Sequence, residues 1–148
     1  MGTIHRFTGK IGEVYNWEGQ RFRDYGKQPG ASEGATVRWL IGKAEQAPTF
    51  ALRYFEIMPG GHSAAEQHPY EHGVIIMRGK ALVQLGDEQF EVEPHDVIFI
   101  PPDEYHQLVN PSADEVLGFF CIIPAHRRKG GEMVYAEGEL FKGEGNTP

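Results

Sequence analysis

The chain changes texture at Thr36. From there TVRWLIG, FALRYFEIMPG, HGVIIMRG, KALVQLG, EQFEVEP, DVIFIPP, YHQLVN and EVLGFFCIIP follow one another, each a short run rich in Val, Ile, Phe and Tyr. Gly, Pro, Asn or Asp bounds each run, which is the signature of strands separated by turns. Gly79 joins VIIMR to ALVQL, and Gly86-Asp87 joins that run to EQFEV; glycine supplies the positive φ that tight hairpins need. Pro94-His95-Asp96 breaks the chain before VIFI and Pro101-Pro102 ends it, because proline cannot donate to a ladder. No window long enough for a central helix carries an apolar face at helical spacing. Six to nine short strands read as an all-β sandwich or small barrel.

The 148 residues suit one domain with one core. Residues 1–36, with Trp17, Phe22 and Tyr25 set among Gly and polar residues, read as an N-terminal arm packing on the barrel or on a partner subunit. Residues 37–125 form the barrel and 126–148 a C-terminal extension. A net charge of −7 disfavours nucleic acid, which demands a surplus of Lys and Arg; His126-Arg127-Arg128-Lys129 is too short to reverse that and reads as a solvated loop. Cys121 is the only cysteine, so neither an intrachain disulfide nor a thiolate metal cluster can form. It reads as a small buried hydrophobe without a local base. The start, MGTIHRFTGKIGEVYNW, lacks the apolar run of a signal peptide, and no stretch approaches membrane-span length. The expectation is a cytoplasmic protein with no membrane partner.

Chemistry concentrates in EQHPYEH, residues 66–72. In a strand, residues two apart share a face, so Glu66 and His68 would project together. Pro69 forces a bend, and His72 enters HGVIIM, where 72, 74 and 76 share a face. His106 begins YHQLVN, 34 residues beyond His72. A barrel bringing these segments side by side gathers one carboxylate and three imidazoles. That set suits a first-row divalent ion, Fe, Mn, Ni, Cu or Zn, over calcium or magnesium, and four protein ligands on an octahedral ion leave two positions open. Buried without a cation, four such groups would be costly unless hydrogen-bonded. The alternative is a polar pocket without metal.

The same segments resemble the two motifs of the cupin superfamily. Gly60, five residues, Glu66-Gln67-His68, three residues, His72, six residues and Gly79 match the spacing of the first motif. His95, five residues, Pro101-Pro102-Asp103, two residues, His106, three residues and Asn110 match the second. The resemblance covers about residues 50–123 and implies a double-stranded β-helix, or jelly-roll barrel, with Glu66, His68, His72 and His106 as metal ligands at its mouth. Two departures stand out. Glu66 occupies the family's first histidine position and His72 its glutamate position, so the carboxylate has changed seats. His95 and Asp103 replace two motif glycines. Glu66 is therefore read either as a ligand, or as a general acid or base beside a three-histidine metal, or as an outward-facing residue at a strand end.

What the resemblance implies about activity is a small metal-dependent enzyme. By ligand type the expectation is a dioxygenase acting on an enol- or diketone-like substrate, with Glu66 taking the substrate hydroxyl proton. The alternatives are an isomerase or decarboxylase acting on a sugar-like substrate, or a non-catalytic module that binds or senses a small ligand. A homodimer is also implied, the arm crossing to cover a sheet edge.

Overall fold

The computed structural model describes residues 2–9, 13–27 and 32–137; parts of the arm, and residues 138–148 of the C-terminal extension, lie outside them. Among the described residues the chain forms eleven strands: β1 (Arg21–Lys27), β2 (Glu33–Ile41), β3 (Phe50–His62), β4 (His72–Arg78), β5 (Ala81–Leu85), β6 (Glu88–Val92), β7 (Val97–Ile100), β8 (His106–Val109), β9 (Leu117–Pro124), β10 (His126–Lys129) and β11 (Glu132–Tyr135). A single 3₁₀ turn, Lys43–Glu45, follows β2. No helix among the described residues is long and apolar enough to cross a membrane.

Nine strands make one curled antiparallel sheet in the order β6-β5-β8-β3-β9-β4-β7, with β2 pairing β3 and β1 pairing β2; β10 and β11 form a separate hairpin. The jelly-roll expectation holds. β3 is the spine: it pairs with β9 from Phe50↔Pro124 to Ile57↔Leu117 and with β2 from Ala35↔Ile57 to Ile41↔Leu52. Alternation along these strands sends Val37, Trp39, Val74, Ile76, Val83, Leu108 and Phe119 into one buried cluster. Complete removal of such side chains from water contributes roughly 1.5–3 kcal/mol each.

The outer face of β3 and β9 is covered as well. Phe7 and Trp17 form a bridge pair, and Tyr15 and Trp17 pack on Tyr54 at ring separations of 5.6 and 5.0 Å, with Trp17 5.7 Å from Phe120. Beneath this aromatic layer Glu56 is only 1% exposed. It accepts from the Tyr15 backbone N–H at 3.2 Å, the Tyr54 hydroxyl at 3.1 Å and Arg78 at 3.2 Å. Strand β1, also within residues 1–36, extends the sheet by pairing with β2.

The turns explain the departures from the glycine pattern. Gly60, Gly79, His95 and Asp103 occupy the four turn positions of the two motifs, and all have positive φ: 77°, 71°, 80° and 67°. Short polar side chains tolerate this region, as His95 and Asp103 do, at some cost relative to glycine. Gly79 has less latitude, because a Cβ there would meet the carbonyl oxygen of Val116.

Candidate metal centre

Main-chain hydrogen bonds stitch the two motifs together. Glu66 and His106 exchange a reciprocal pair, N–H to O at 2.9 Å each way, and the Asp103 N–H donates to the His68 carbonyl at 2.7 Å. Gln67 adds a side-chain bond to the Asp103 carbonyl at 2.7 Å. Residues 63–71 are not a strand, contrary to the expectation for Glu66 and His68; Glu66 makes an isolated bridge with His106. The kinked segment delivers Glu66 and His68 opposite His106, while β4 delivers His72 on the same inward face as Val74 and Ile76. Asn110, which closes the second motif, donates to the carbonyls of Ile57 and Glu115 at 2.9 and 2.8 Å and so holds the loop after β8.

Each of Glu66, His68, His72 and His106 offers one ligand atom, and these atoms lie within 4.8 Å of one another. The outer ring nitrogens are already committed. His68 Nδ1 meets the Tyr70 carbonyl at 3.0 Å and His106 Nδ1 the Glu104 carbonyl at 2.9 Å. A carbonyl requires an N–H, so both rings carry the proton on Nδ1 and turn an Nε2 lone pair inward. His68 Nε2 and His72 Nε2 stand 2.8 Å apart, and a Glu66 carboxylate oxygen lies 3.3 Å from His68 Nε2. Burial, followed by the nearby Arg53 guanidinium and the neighbouring histidines, pushes His72 down to about 2. Burial also lowers His68, against the opposing pull of Glu66. Three converging imidazole nitrogens with one carboxylate among them are a donor set that fits a divalent transition metal, so the cluster could hold such an ion.

The cluster opens on a cavity of about 250 Å³, lined by Tyr25, Arg53, Phe55, Glu66, Tyr70, His72, His106, Cys121 and Arg127 among others. Sequence reasoning left the wall residues of β3 open. Arg53 and Phe55 face the cavity, while Tyr54 and Glu56 face the arm; the parity of β3 could not be read from a run apolar on both faces. Cys121 is buried as expected, but not as an inert hydrophobe. Its sulfur lies 3.1 Å from His72 Nδ1 and accepts from Arg53 Nη2 at 3.1 Å, and burial raises its thiol although Arg53 opposes the shift. Arg127, assigned to a solvated loop, instead lines the cavity with its guanidinium 4.1 Å from the Tyr70 ring centre, and Tyr70 stacks on His68 at 3.8 Å. His95 and Glu71 are exposed and His62 half-buried; none belongs to the cluster. Gln84 and Gln107 pair across β5 and β8, beside but not on the cavity wall.

Comparison with known proteins agrees with this geometry. The cupin domain family matches residues 53–123. A 1-methylthio-D-xylulose 5-phosphate methylsulfurylase from Rhodospirillum rubrum is 38% identical over 115 residues, 78% of this chain and 72% of the relative. A cupin-2 domain structure from R. rubrum superposes with a TM-score of 0.72 at 34% identity, covering 79% of this chain and 77% of that one. A cupin 2 conserved barrel domain protein from Rhodopseudomonas palustris has the same TM-score at 27% identity, covering 86% and 83%. Motif spacing, turn conformations and this likeness agree: the chain belongs to the cupin superfamily.

Proposed function

We propose that this cupin is a metal-dependent enzyme acting on a small phosphorylated ketose that carries a methylsulfanyl group, and that it removes that group. The observation carrying the reading is the shared wall of the metal cluster and the cavity, where the His72 imidazole, the Cys121 thiol and the Arg53 guanidinium lie in sequence. The 38% identical R. rubrum relative supplies the substrate class. Glu66, His68, His72 and His106 are the proposed ligands. A bound divalent metal (Fe, Mn, Ni, Cu or Zn) would supply Lewis acidity to a substrate carbonyl.

In a 1-methylthio-ketose the sulfur-bearing carbon adjoins the carbonyl: a thiolate attacking the methylsulfanyl sulfur forms a mixed disulfide as the carbon–sulfur bond breaks, the bonding pair passes to the carbonyl as an enolate, and a proton delivered to that carbon gives the 1-deoxy-ketose phosphate. The chain's own groups serve that chemistry in distinct ways. Backbone carbonyls accept from Nδ1 of His68 and His106, which orients both rings with Nε2 turned towards the cluster. Glu66 is the half-exposed member of the cluster, with 47% of its side chain accessible, and so is the carboxylate placed to carry a substrate proton. Val74, Ile100, Leu108 and Phe119 supply the apolar wall, which excludes water and strengthens the polar contacts.

The test is incubation of metal-loaded protein with 1-methylthio-D-xylulose 5-phosphate and a small thiol, following the S-methyl proton signal by NMR. Transfer of that signal off the sugar supports the reading; a sugar unchanged over hours rejects it. The dioxygenase expectation draws no support from the R. rubrum relative, and turnover of a β-diketone with dioxygen uptake would favour it instead. A small-ligand sensor would bind its ligand equally well after chelation. A second copy covering Val97 and Phe99, which β7 leaves 73% and 63% exposed, would make a homodimer; light scattering showing a clean monomer rejects that part.

A further inference from the structure

Arg53 differs from three other shielded arginines in what it faces. Arg21 faces Glu45 and Glu137, while Arg38 and Arg78 both face Glu56. Arg53 is 7% exposed, and among the described residues it has no carboxylate partner. Its guanidinium lies between two rings, 5.4 Å from the Trp39 centre and 4.7 Å from that of Phe55. One hydrogen bond reaches the Cys121 sulfur at 3.1 Å, and Nε is buried with no acceptor. A buried guanidinium that lacks a counter-ion is costly, and the rings compensate only in part.

The cavity it lines is cationic in an acidic protein. Arg53 and Arg127 are the lining cations and Glu66 the lining anion among the described residues, against a net charge of −7 for the chain. A volume of about 250 Å³ lies just below the usual range of ligand pockets, so an anion entering it would belong to a small molecule. A planar guanidinium with unused donors matches the geometry of an oxyanion.

We propose that Arg53 is the anion anchor of this cavity, binding the phosphate of a substrate whose other end reaches the His and Glu cluster. The anion site rests on the geometry of Arg53 alone; its assignment to phosphate rests on the phosphoketose reading above. Cys121 links the two halves, touching Arg53 on one side and His72 on the other, so a ligand held by the guanidinium lies one side chain away from the cluster.

Calorimetry on zinc-loaded protein, with D-xylulose 5-phosphate and neutral D-xylulose as probes, tests this. Wild type should bind the phosphate ester about tenfold or more tightly than the neutral sugar, the loss expected for a charge-assisted contact. Arg53→Met keeps an apolar stem against Trp39 and Phe55, and should abolish the preference while D-xylulose affinity and zinc content hold. Preference retained in Arg53→Met, absent from wild type, or reversed in favour of a sugar acid of equal length overturns the assignment. Should Arg53→Met fail to fold, the Arg53 Nε–H resonance of wild type, identified by its loss in Arg53→Lys, replaces it. That resonance should shift with inorganic phosphate and not with chloride at equal ionic strength; no shift overturns the proposal. An Arg53-dependent phosphate preference without methylsulfanyl removal would reject the reaction and leave the anchor standing. Turnover with an unchanged KM in Arg53→Met would do the reverse.

Discussion

Two of the polar clusters in this small barrel are built on opposite principles. At one, Arg21 donates to Glu45 at 2.9 and 2.7 Å and to Glu137 at 2.9 and 3.1 Å, and His5 meets Glu45 at 3.0 Å. Opposite charges face each other and donors find acceptors, so that cluster is complete with protein atoms alone. At the other, the inward nitrogens of three histidines converge with one carboxylate, the Nδ1 atoms of His68 and His106 being held by backbone carbonyls, and a cation is what would complete it. The contrast separates a site that holds the arm-proximal strand, the 3₁₀ turn and the C-terminal segment together from one organised for a ligand.

The largest expected effect is on metal. His106→Ala should lower metal affinity by more than the roughly 10–100-fold that loss of an outer partner costs, measured by elemental analysis after dialysis; full occupancy in that variant would contradict the ligand set. Arg21→Met should leave metal content unchanged. It should lower unfolding stability by about 2–3 kcal/mol, somewhat below the cost of breaking a fully buried pair, because the Arg21 side chain is 22% exposed. A denaturant titration unmoved by that change would show the outer cluster to be dispensable.

Acid separates the clusters next. His72 is held at about 2 in the fold by burial first and Arg53 second, against roughly 6.5 when unfolded. The unfolded chain therefore takes up a proton that the native one refuses. Metal-free stability should be full above about pH 6.5 and fall by up to about 1.4 kcal/mol per pH unit below it. Burial alone would raise the Glu45 carboxyl, but hydrogen bonds from Arg21 and the Gly42 backbone hold it below its ordinary value. Its contribution is present above about pH 4.3 and is lost only as pH falls through its lowered value. Melting curves of chelated protein from pH 8 to 4 should thus decline from the histidine side first; stability unchanged between pH 6.5 and 5 would remove the histidine assignment. The smallest effect is expected from Glu66→Gln, which keeps the shape of the most accessible ligand. Metal affinity should fall less than in His106→Ala while turnover falls further than occupancy; loss of both in equal measure would make Glu66 a ligand only.

Much of the architecture was legible because its signals are local. Turn residues delimit β4 to β9, and the spacing from Gly60 to Gly79 and from His95 to Asn110 placed four turns, each now seen at positive φ. Glu66, His68, His72 and His106 were legible for the same reason: they sit at fixed offsets from those turns. His95 and Asp103 show that the backbone conformation, rather than glycine itself, is what the motif requires.

The remainder depended on long-range pairing. Along β3 a shift of one residue exchanges Arg53 and Phe55 for Tyr54 and Glu56 on the cavity face, and pairing with Cys121, Phe119 and Phe120 on β9 makes the choice. Cys121 gained its two polar contacts only when β4 and β3 came to flank β9, and Arg127 reached the cavity only through the hairpin that follows. The sequence by itself determined β4 to β9, the turns between them and the four candidate ligands, because alternation and turn chemistry act over a few residues. Tertiary structure decided what surrounds those ligands, because a cavity wall is built from residues up to about a hundred positions apart, and nothing local encodes their register.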